Sequence, residues 1–314
     1  MSKPMEFTGE RYTPECVREI RYEHLHRYAF AAEWVGGRDV LDAACGEGYG
    51  SHLLSARART VTGVDIAREA VEHARQRYRS ERLSFRVEDC CDLPFEDDSF
   101  GAVVSFETLE HLESQERLLR EFRRVLAEDG FLIISSPDKA IYTDRMKNRN
   151  PFHVRELYRP ELERLLATEF PAVRLLGQRL AFHSQIWPVD GAPPDGFEVH
   201  RERDDRIERL EGPGGDAMYF IAICAASREA LPPLQAGLWL FDDAVESVYR
   251  HYHHEIGKNM EAGAVLEQRE REIELLRAQL ESCSAGGSTS SPVNDGSREQ
   301  TGRAPWWRRW FGRR

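Results

Sequence analysis

Val40-Leu41-Asp42-Ala43-Ala44-Cys45-Gly46-Glu47-Gly48-Tyr49-Gly50 is a short apolar run that ends in an acid and opens into three glycines at alternate positions. A second apolar run, Val61-Thr62-Gly63-Val64-Asp65, follows and also ends in an acid. Two strands tipped by acids, with a glycine loop between them, make an edge suited to a nucleoside. Glycine lets the backbone approach a ligand where a Cβ would block it. Asp65 stands where a ribose diol needs a hydrogen-bond acceptor.

The glycine spacing narrows the ligand. A dinucleotide fingerprint reads G-x-G-x-x-G and seats a pyrophosphate on a helix N-terminus. Here Gly46, Gly48 and Gly50 read G-x-G-x-G, with Asp42 before the loop and Glu47 inside it. Carboxylates at both places repel a pyrophosphate. They suit a ligand with a cationic end, such as the amino group and sulfonium of S-adenosylmethionine (SAM). On these residues the chain resembles the class I SAM-dependent methyltransferases. An NAD-dependent sugar oxidoreductase is the alternative built on a similar loop.

Outward from this motif, strands and helices alternate. Ile20, His24, Tyr28 and Ala31 are spaced as on a helix over 17–35. Strands are expected at 39–44, 60–65, 83–87, 102–106 and 131–135, and helices at 49–57, 67–78, 115–127 and 160–168. That alternation predicts a parallel sheet with helices on both faces. Apolar segments at 172–180 and 218–226 add two strands, and the resemblance implies seven. The expected fold is an α/β, Rossmann-like methyltransferase domain over 1–230. The stretch 184–216, rich in Pro, Gly and Asp, reads as an insertion or long loop.

From Pro232 the pattern changes. Leu238, Val245, Tyr252, Asn259, Leu266, Ile273 and Leu280 recur every seven residues, with Phe241, Val248, Ala262 and Leu276 between them. This predicts a coiled-coil helix over 235–283 and a homo-oligomer, with Asn259 as a register device. The alternatives are a first half packed on the globular domain and a solitary docked helix. Residues 284–304, rich in Ser and Gly, read as a flexible linker. The end, 305–314, sets Trp306, Trp307, Trp310 and Phe311 among arginines. It reads as a peripheral membrane contact, with indoles at headgroup depth and arginines meeting anionic lipid, or as a tail that docks on a partner protein.

Composition bounds the rest. The chain has 314 residues, 41% of them hydrophobic, and a net charge of −11. Five arginines and no acids lie in 303–314, so the remainder carries −16. A surface so acidic disfavours nucleic acid as a partner. The six cysteines form no C-x-x-C pair and read as reduced thiols. Residues 1–10 lack the apolar core of a signal peptide, and no run reaches transmembrane length. The expectation is a cytoplasmic protein, with the tail at the inner face of the membrane.

The chemistry concentrates after the third and fourth strands. Glu88-Asp89-Cys90-Cys91-Asp92-Leu93-Pro94-Phe95 carries an acid and a Leu-Pro-Phe similar to the family's, where the acid accepts from the adenine amino group. The resemblance thus implies a cofactor set of Asp42, Ala44, Gly46, Gly48, Asp65, Ile66, Asp89, Cys90 and Phe106. Glu107, Glu110 and His111 fall at i, i+3 and i+4, so on a helical turn they share a face. Two carboxylates together repel unless a proton or cation relieves them. Oxygen and imidazole ligands suit Mg²⁺ or Mn²⁺, and less well Zn²⁺. Asn150-Pro151-Phe152-His153 offers His153 as a fourth ligand.

E-x-x-E-H with a later histidine resembles the metal-dependent branch of the superfamily. That branch includes the ubiquinone O-methyltransferases and the small-RNA 3′-end methyltransferases, in which the metal grips the acceptor hydroxyls. Without a metal, His111 reads as a general base, and a purely structural Glu pair is the remaining alternative. A second resemblance rests on Phe7-Thr8-Gly9-Glu10-Arg11-Tyr12-Thr13-Pro14-Glu15, His26-Arg27-Tyr28 and the Asn-Pro-Phe-His stretch. These look like bacterial methyltransferases of surface-glycan (O-antigen type) assembly, some of which join the catalytic domain to a coiled coil and a membrane tail. The resemblance implies methyl transfer to a sugar hydroxyl or glycan phosphate of a lipid-linked acceptor, with catalytic roles for Glu107, Glu110 and His111. The N-terminal segment is expected to fold over the cofactor, with Arg11, Tyr12, Tyr22, His26 and Tyr28 as contacts to SAM or the acceptor; core packing of these aromatics is the alternative. The other readings are a small-molecule O- or N-methyltransferase, for a quinone or secondary metabolite, and a non-catalytic SAM-binding scaffold.

Overall fold

A computed structural model describes residues 19–186, 188–190 and 196–285. The N-terminal cover with Arg11 and Tyr12, most of the linker, and the aromatic tail therefore lie outside the described residues. The chain divides into two units at Val248/Tyr249.

The first unit holds α1 (Glu19–Ala32), β1 (Asp39–Ala43), α2 (Tyr49–Ser55), β2 (Thr60–Asp65), α3 (Arg68–Arg77), β3 (Leu83–Val87) and β4 (Phe100–Ser105). There follow α4 (Gln115–Val125), β5 (Leu126–Pro137), α5 (Arg159–Leu166), β6 (Ala172–Gln178), β7 (Val199–Arg203), β8 (Arg206–Leu210) and β9 (Tyr219–Ala225). Seven strands form one sheet in the order β3-β2-β1-β4-β5-β9-β6. It is the expected Rossmann-like sheet. Strands β1 to β5 pair in parallel, while β9 runs antiparallel between β5 and β6.

The central strands are apolar on both faces because helices cover both. Val40, Val61, Val104 and Ile133 pack with Phe30 and Ala31 of α1 and Leu54 of α2. Leu41, Val64, Val103 and Leu132 point the other way, onto Leu118 and Phe122 of α4 and Leu162 of α5. The period-2 alternation along each strand thus divides one continuous apolar run between two half-cores.

Three regions depart from expectation. β5 spans Leu126–Pro137 rather than 131–135, with a register shift where it faces Phe100 and Ala102. The 184–216 stretch is not wholly a loop: β7 and β8 form a separate antiparallel hairpin. Its turn residues Asp204 and Asp205 both have positive φ, 50° and 61°, as the two-residue turn that matches strand twist requires. The third departure follows β9. Leu238, Phe241 and Val245 precede the helix that the heptads predict, because α6 begins at Ser247. This segment instead straps across α1. The Trp239 ring meets Phe30 edge-on at 5.3 Å, and Phe241 stacks on His26 at 5.6 Å. The aromatics there satisfy a docking face, not a helical seam.

α6 runs over Ser247–Ala285. On it Tyr252, Leu266, Ile273, Leu276 and Leu280 are exposed. Among the described residues, no helix is long and apolar enough to cross a membrane.

Gly50, in the first turn of α2, lies against the ring of Tyr28, and a Cβ there would overlap that ring. Tyr28 is buried, so it has little room to yield. Gly50→Ala should destabilise the fold by about 1–3 kcal/mol. Chemical denaturation checks this, and an unchanged midpoint refutes it.

Candidate functional site

In the strand order 3-2-1-4-5, connections leave β1 and β4 in opposite directions, which opens a crevice at their carboxyl ends. That crevice is the cleft of this structure. Ala44, Cys45, Gly46 and Tyr49 line it after β1, Asp65 and Ile66 after β2, and Asp89, Cys90 and Cys91 after β3. Phe106, Glu107, Thr108, His111 and Leu112 line it after β4, and α1 closes one side with His24 and Tyr28. Seven of the nine residues assigned to the cofactor by sequence are therefore at the cleft: Ala44, Gly46, Asp65, Ile66, Asp89, Cys90 and Phe106.

Backbone geometry fixes the donor side. Ala44 and Gly46 adopt left-handed conformations, φ 60° and 56°. Nothing lies within 4 Å of where a Gly46 Cβ would be, so glycine is required there for conformation and access, not packing. The Gly46 N–H donates to Asp65 Oδ2 at 2.9 Å, and the Ala67 N–H donates to Oδ1 at 2.9 Å. These two bonds hold the Asp65 carboxylate at the tip of β2. Asp89 is oriented likewise, accepting from the Cys91 N–H at 2.8 Å.

Asp42 and Gly48 do not reach the cleft. Asp42 is fully buried and accepts from the Tyr28 hydroxyl at 3.0 Å and the Ser51 hydroxyl at 2.5 Å. Burial pushes its pKa up to about 7; the two hydrogen bonds pull against the rise, and the charge of Asp65 adds to it. Asp42 pegs α1 and α2 to β1 from behind the loop. Gly48, at φ 90°, starts α2, and a Cβ there would stand 2.7 Å from the Phe85 ring and 2.8 Å from Ala74. Its freedom serves packing. Glu47 also turns inward, taking the Tyr78 hydroxyl at 2.9 Å and pairing with His73 at 3.0 Å and Arg77 at 3.5 Å. The acids at the cleft are Asp65, Asp89 and Glu107, so its negative character stands with different members.

The acceptor side grows from the end of β4. Glu107 has φ 51°, a strained position for a non-glycine residue. Its N–H donates to Ser135 Oγ at 3.0 Å, and the Ser135 hydroxyl donates back to Glu107 Oε1 at 2.7 Å. Glu110 follows on a 3-10 turn, Leu109–His111. The N–H groups of Val154 and Arg155 donate to the Glu110 carbonyl at 2.8 and 3.0 Å, which stitches the 150–155 loop beneath it.

That stitch brings His153 to His111, ring centroids 5.0 Å apart and nearly perpendicular. His111 Nδ1 lies 2.9 Å from the Phe152 carbonyl, and His153 Nδ1 lies 2.6 Å from Glu156 Oε1. Both partners are acceptors, so both protons belong on Nδ1 and both lone pairs on Nε2. The Glu156 carboxylate is itself held by the Thr143 hydroxyl. Glu110 is fully buried, and among the described residues neither of its carboxylate oxygens has a hydrogen-bond partner. Burial, reinforced by the charge of Glu107, holds its carboxyl well above the usual range. One ligand atom from each of Glu110, His111 and His153 lies within 4.8 Å of the others. Ligand atoms about 2.1 Å from a shared tetrahedral ion stand roughly 3.4 Å apart, so the three groups would draw together to hold one. Glu107, expected in this set, is the departure: its carboxylate is engaged by Ser135 and by Arg27, whose Nη1 is 3.3 Å away.

Sequence reading missed His24 and Tyr49 as cleft residues. His24 Nδ1 sits 3.0 Å from the Tyr49 hydroxyl, and burial, then the charge of Arg27, holds its imidazole well below the usual pKa. The helical spacing of His24 and Tyr28 was the available signal, but it looks the same for core and cleft.

Residues 41–134 match the family model described as a methyltransferase domain. The matched segment carries the whole cleft except its α1 wall. A probable S-adenosylmethionine-dependent methyltransferase of Mycolicibacterium smegmatis is 40% identical over 164 residues, 51% of this chain and 63% of that one. A similarly described protein of Mycobacterium tuberculosis is 41% identical over 162 residues, 51% of this chain and 58% of that one. A fatty-acid O-methyltransferase of Mycolicibacterium smegmatis is 32% identical over 198 residues, 60% and 61% of the two chains. The chain spans only about six-tenths of the length of these relatives. Among solved structures, the YcgJ protein of Bacillus subtilis is similar at 26% identity and a TM-score of 0.44, over 49% of this chain and 71% of that one.

The Asp42 shift has a testable sign. Its native pKa, about 7, lies above the ordinary aspartate value of 3.8. Between those values the unfolded chain releases the proton while the native state keeps it. The resulting stabilisation is complete below pH ~4 and is lost as pH rises through ~7, up to roughly 4 kcal/mol in all. Asp42→Asn should flatten the fall in unfolding temperature across that window. A slope equal to the wild type's would show that Asp42 does not titrate there.

Proposed function

We propose that the chain is a SAM-dependent O-methyltransferase acting on a sugar hydroxyl (or phosphate) of a surface or lipid-linked glycan, assisted by a divalent cation. The carrying observation is Glu110: a fully buried carboxylate without a hydrogen-bond partner among the described residues, beside two histidines whose lone pairs fall on Nε2. A carboxylate buried without hydrogen bonds is relieved either by a proton or by a cation, and the two imidazoles beside Glu110, with His111 Nε2 at 3.9 Å, favour the cation. One carboxylate and two imidazoles fit Mn²⁺ or Mg²⁺, with Zn²⁺ as the softer choice. Glu156 behind His153 is the kind of outer partner that orients a metal-binding imidazole.

The residues then divide the work. Asp65 takes the ribose hydroxyls and Asp89 the adenine edge, with Ile66 as an apolar shelf. SAM supplies a methyl group already activated on a cationic sulfur. The protein must hold the acceptor oxygen about 3 Å from that carbon and in line with it, and must remove the hydroxyl proton. His111 Nε2 has one lone pair, so it either accepts that proton itself or serves as a ligand to the ion, not both at once. A divalent ion, when bound, acidifies a coordinated hydroxyl. Glu107 at the same rim orients the acceptor. An acidic chain whose cleft is lined by no lysine or arginine among the described residues leaves nucleic acid outside this reading.

A second reading, a lipid or small-molecule acceptor, draws on the relatives, which include the fatty-acid enzyme and phthiotriol dimycocerosate methyltransferases. The exposed seam of α6 supports self-association, and the 305–314 tail supports peripheral membrane contact from the cytoplasmic side.

Calorimetry should show SAM uptake, and labelled SAM with a membrane glycolipid extract should place label on a glycan component. EDTA should abolish turnover and Mn²⁺ or Mg²⁺ restore it, and His111→Ala should lower kcat by about 10²–10⁴-fold. No SAM uptake overturns the enzyme reading, label on free lipid overturns the glycan, and full turnover in chelator removes the ion.

A further inference from the structure

Arg27 lies on α1 with its side chain 1% exposed. Its Nε donates to Gln178 Oε1 at 2.6 Å, and Gln178 Nε2 donates to the Glu23 carbonyl at 2.9 Å. The guanidinium lies 4.3 Å over the Tyr219 ring, with Nη1 at 3.3 Å from Glu107 Oε1. Among the described residues neither Nη1 nor Nη2 makes a hydrogen bond. A buried cation needs a counter-charge, and Glu107 is the carboxylate in ion-pair contact with it.

We infer that Arg27 is a positioning residue that withholds Glu107 from the cation cluster, so that the ion is held by Glu110, His111 and His153 alone. The inference rests on the cation reading above. Glu107 and Glu110 sit three residues apart, and a free Glu107 would be a natural fourth ligand. Arg27 and Ser135 hold its carboxylate aside, and the strained φ of Glu107 is maintained by the same contacts. Catalytic metal sites keep three protein ligands and an open position for water or substrate. Arg27 therefore preserves the position at which an acceptor hydroxyl binds. It also separates two neighbouring acids, one paired with a guanidinium at the rim and one left beside the two imidazoles at the cation point.

The test is Mn²⁺ binding, by calorimetry and electron paramagnetic resonance, beside turnover. Arg27→Met frees Glu107, so Mn²⁺ should bind several-fold tighter while turnover falls about 10- to 100-fold. A merely structural role for Arg27 would weaken both. The double variant Arg27→Met/Glu107→Gln replaces an ion pair by a neutral pair and guards against misfolding of the single variant. It should keep wild-type Mn²⁺ affinity and recover turnover relative to Arg27→Met. If the double variant loses Mn²⁺ affinity by about 10-fold or more, Glu107 is a ligand and the inference falls while the cation reading stands. If the wild type takes up no Mn²⁺, the cation reading falls and this inference with it.

Discussion

Tyr28 and Ser51 both donate to the carboxylate of Asp42, and this junction ties α1, β1 and α2 together behind the glycine loop. Everything on the donor side leans on it. With its hydroxyl fixed, the Tyr28 ring meets Tyr49 edge-on at 5.2 Å and Phe106 at 4.9 Å. One side chain thereby spans the tips of β1 and β4, the two strands between which the cleft opens. Gly50 exists to let that ring pass. The carboxylate is costly to bury, as its raised pKa shows. Two hydroxyl donors offset part of the cost, in keeping with the rule that buried polar groups are hydrogen-bonded.

The same two strand tips carry backbone strain. Ala44 follows β1 at φ 60°, and Glu107 follows β4 at φ 51°. Non-glycine residues in this region cost on the order of 1–3 kcal/mol each and persist where their surroundings over-determine them. Here the surroundings are visible. The Cys45 N–H donates to the Val64 carbonyl just beyond Ala44, and Glu107 is caught between Ser135 and Arg27. Neighbouring parallel strands that both end in a left-handed residue turn their chains sharply away from the crevice. Side chains of the following residues then line it rather than fill it.

Much of this was legible in the chain. Asp65 ends β2 and Asp89 follows β3; the tips of parallel strands share one edge, so position along the strand places the residue. Direction is another matter. Asp42 and Glu47 looked like ligand-facing acids because a sequence shows no inside or outside at a loop. Their partners, Tyr28 and Ser51 for one, His73, Arg77 and Tyr78 for the other, come from three different helices or their ends. The hairpin β7–β8 hid behind polar composition and a glycine-free Asp204-Asp205 turn. The strap over α1 carried apolar spacing that fitted heptads by coincidence, since Trp239 and Phe241 answer to Phe30 and His26. For the cluster at β4, spacing found Glu107, Glu110 and His111 but could not see Arg27, which lies 80 residues earlier and pairs with the first of the two acids.

The acids of the cleft thus hold different environments, and the difference bears on turnover. Asp65 and Asp89 are oriented by backbone N–H groups at the donor side, and Glu107 is offset by Arg27. On the proposed reading, the donor arrives with a positive sulfur, and an anionic, partly desolvated wall favours it more strongly than water would. Once the methyl group has left, the sulfur is neutral and that attraction is gone, while the apolar and ribose contacts are unchanged. The field that gathers the donor therefore discriminates against the product by the charge that the reaction itself removes. An uncharged wall of the same shape would bind both forms alike and would release the product no faster than the donor.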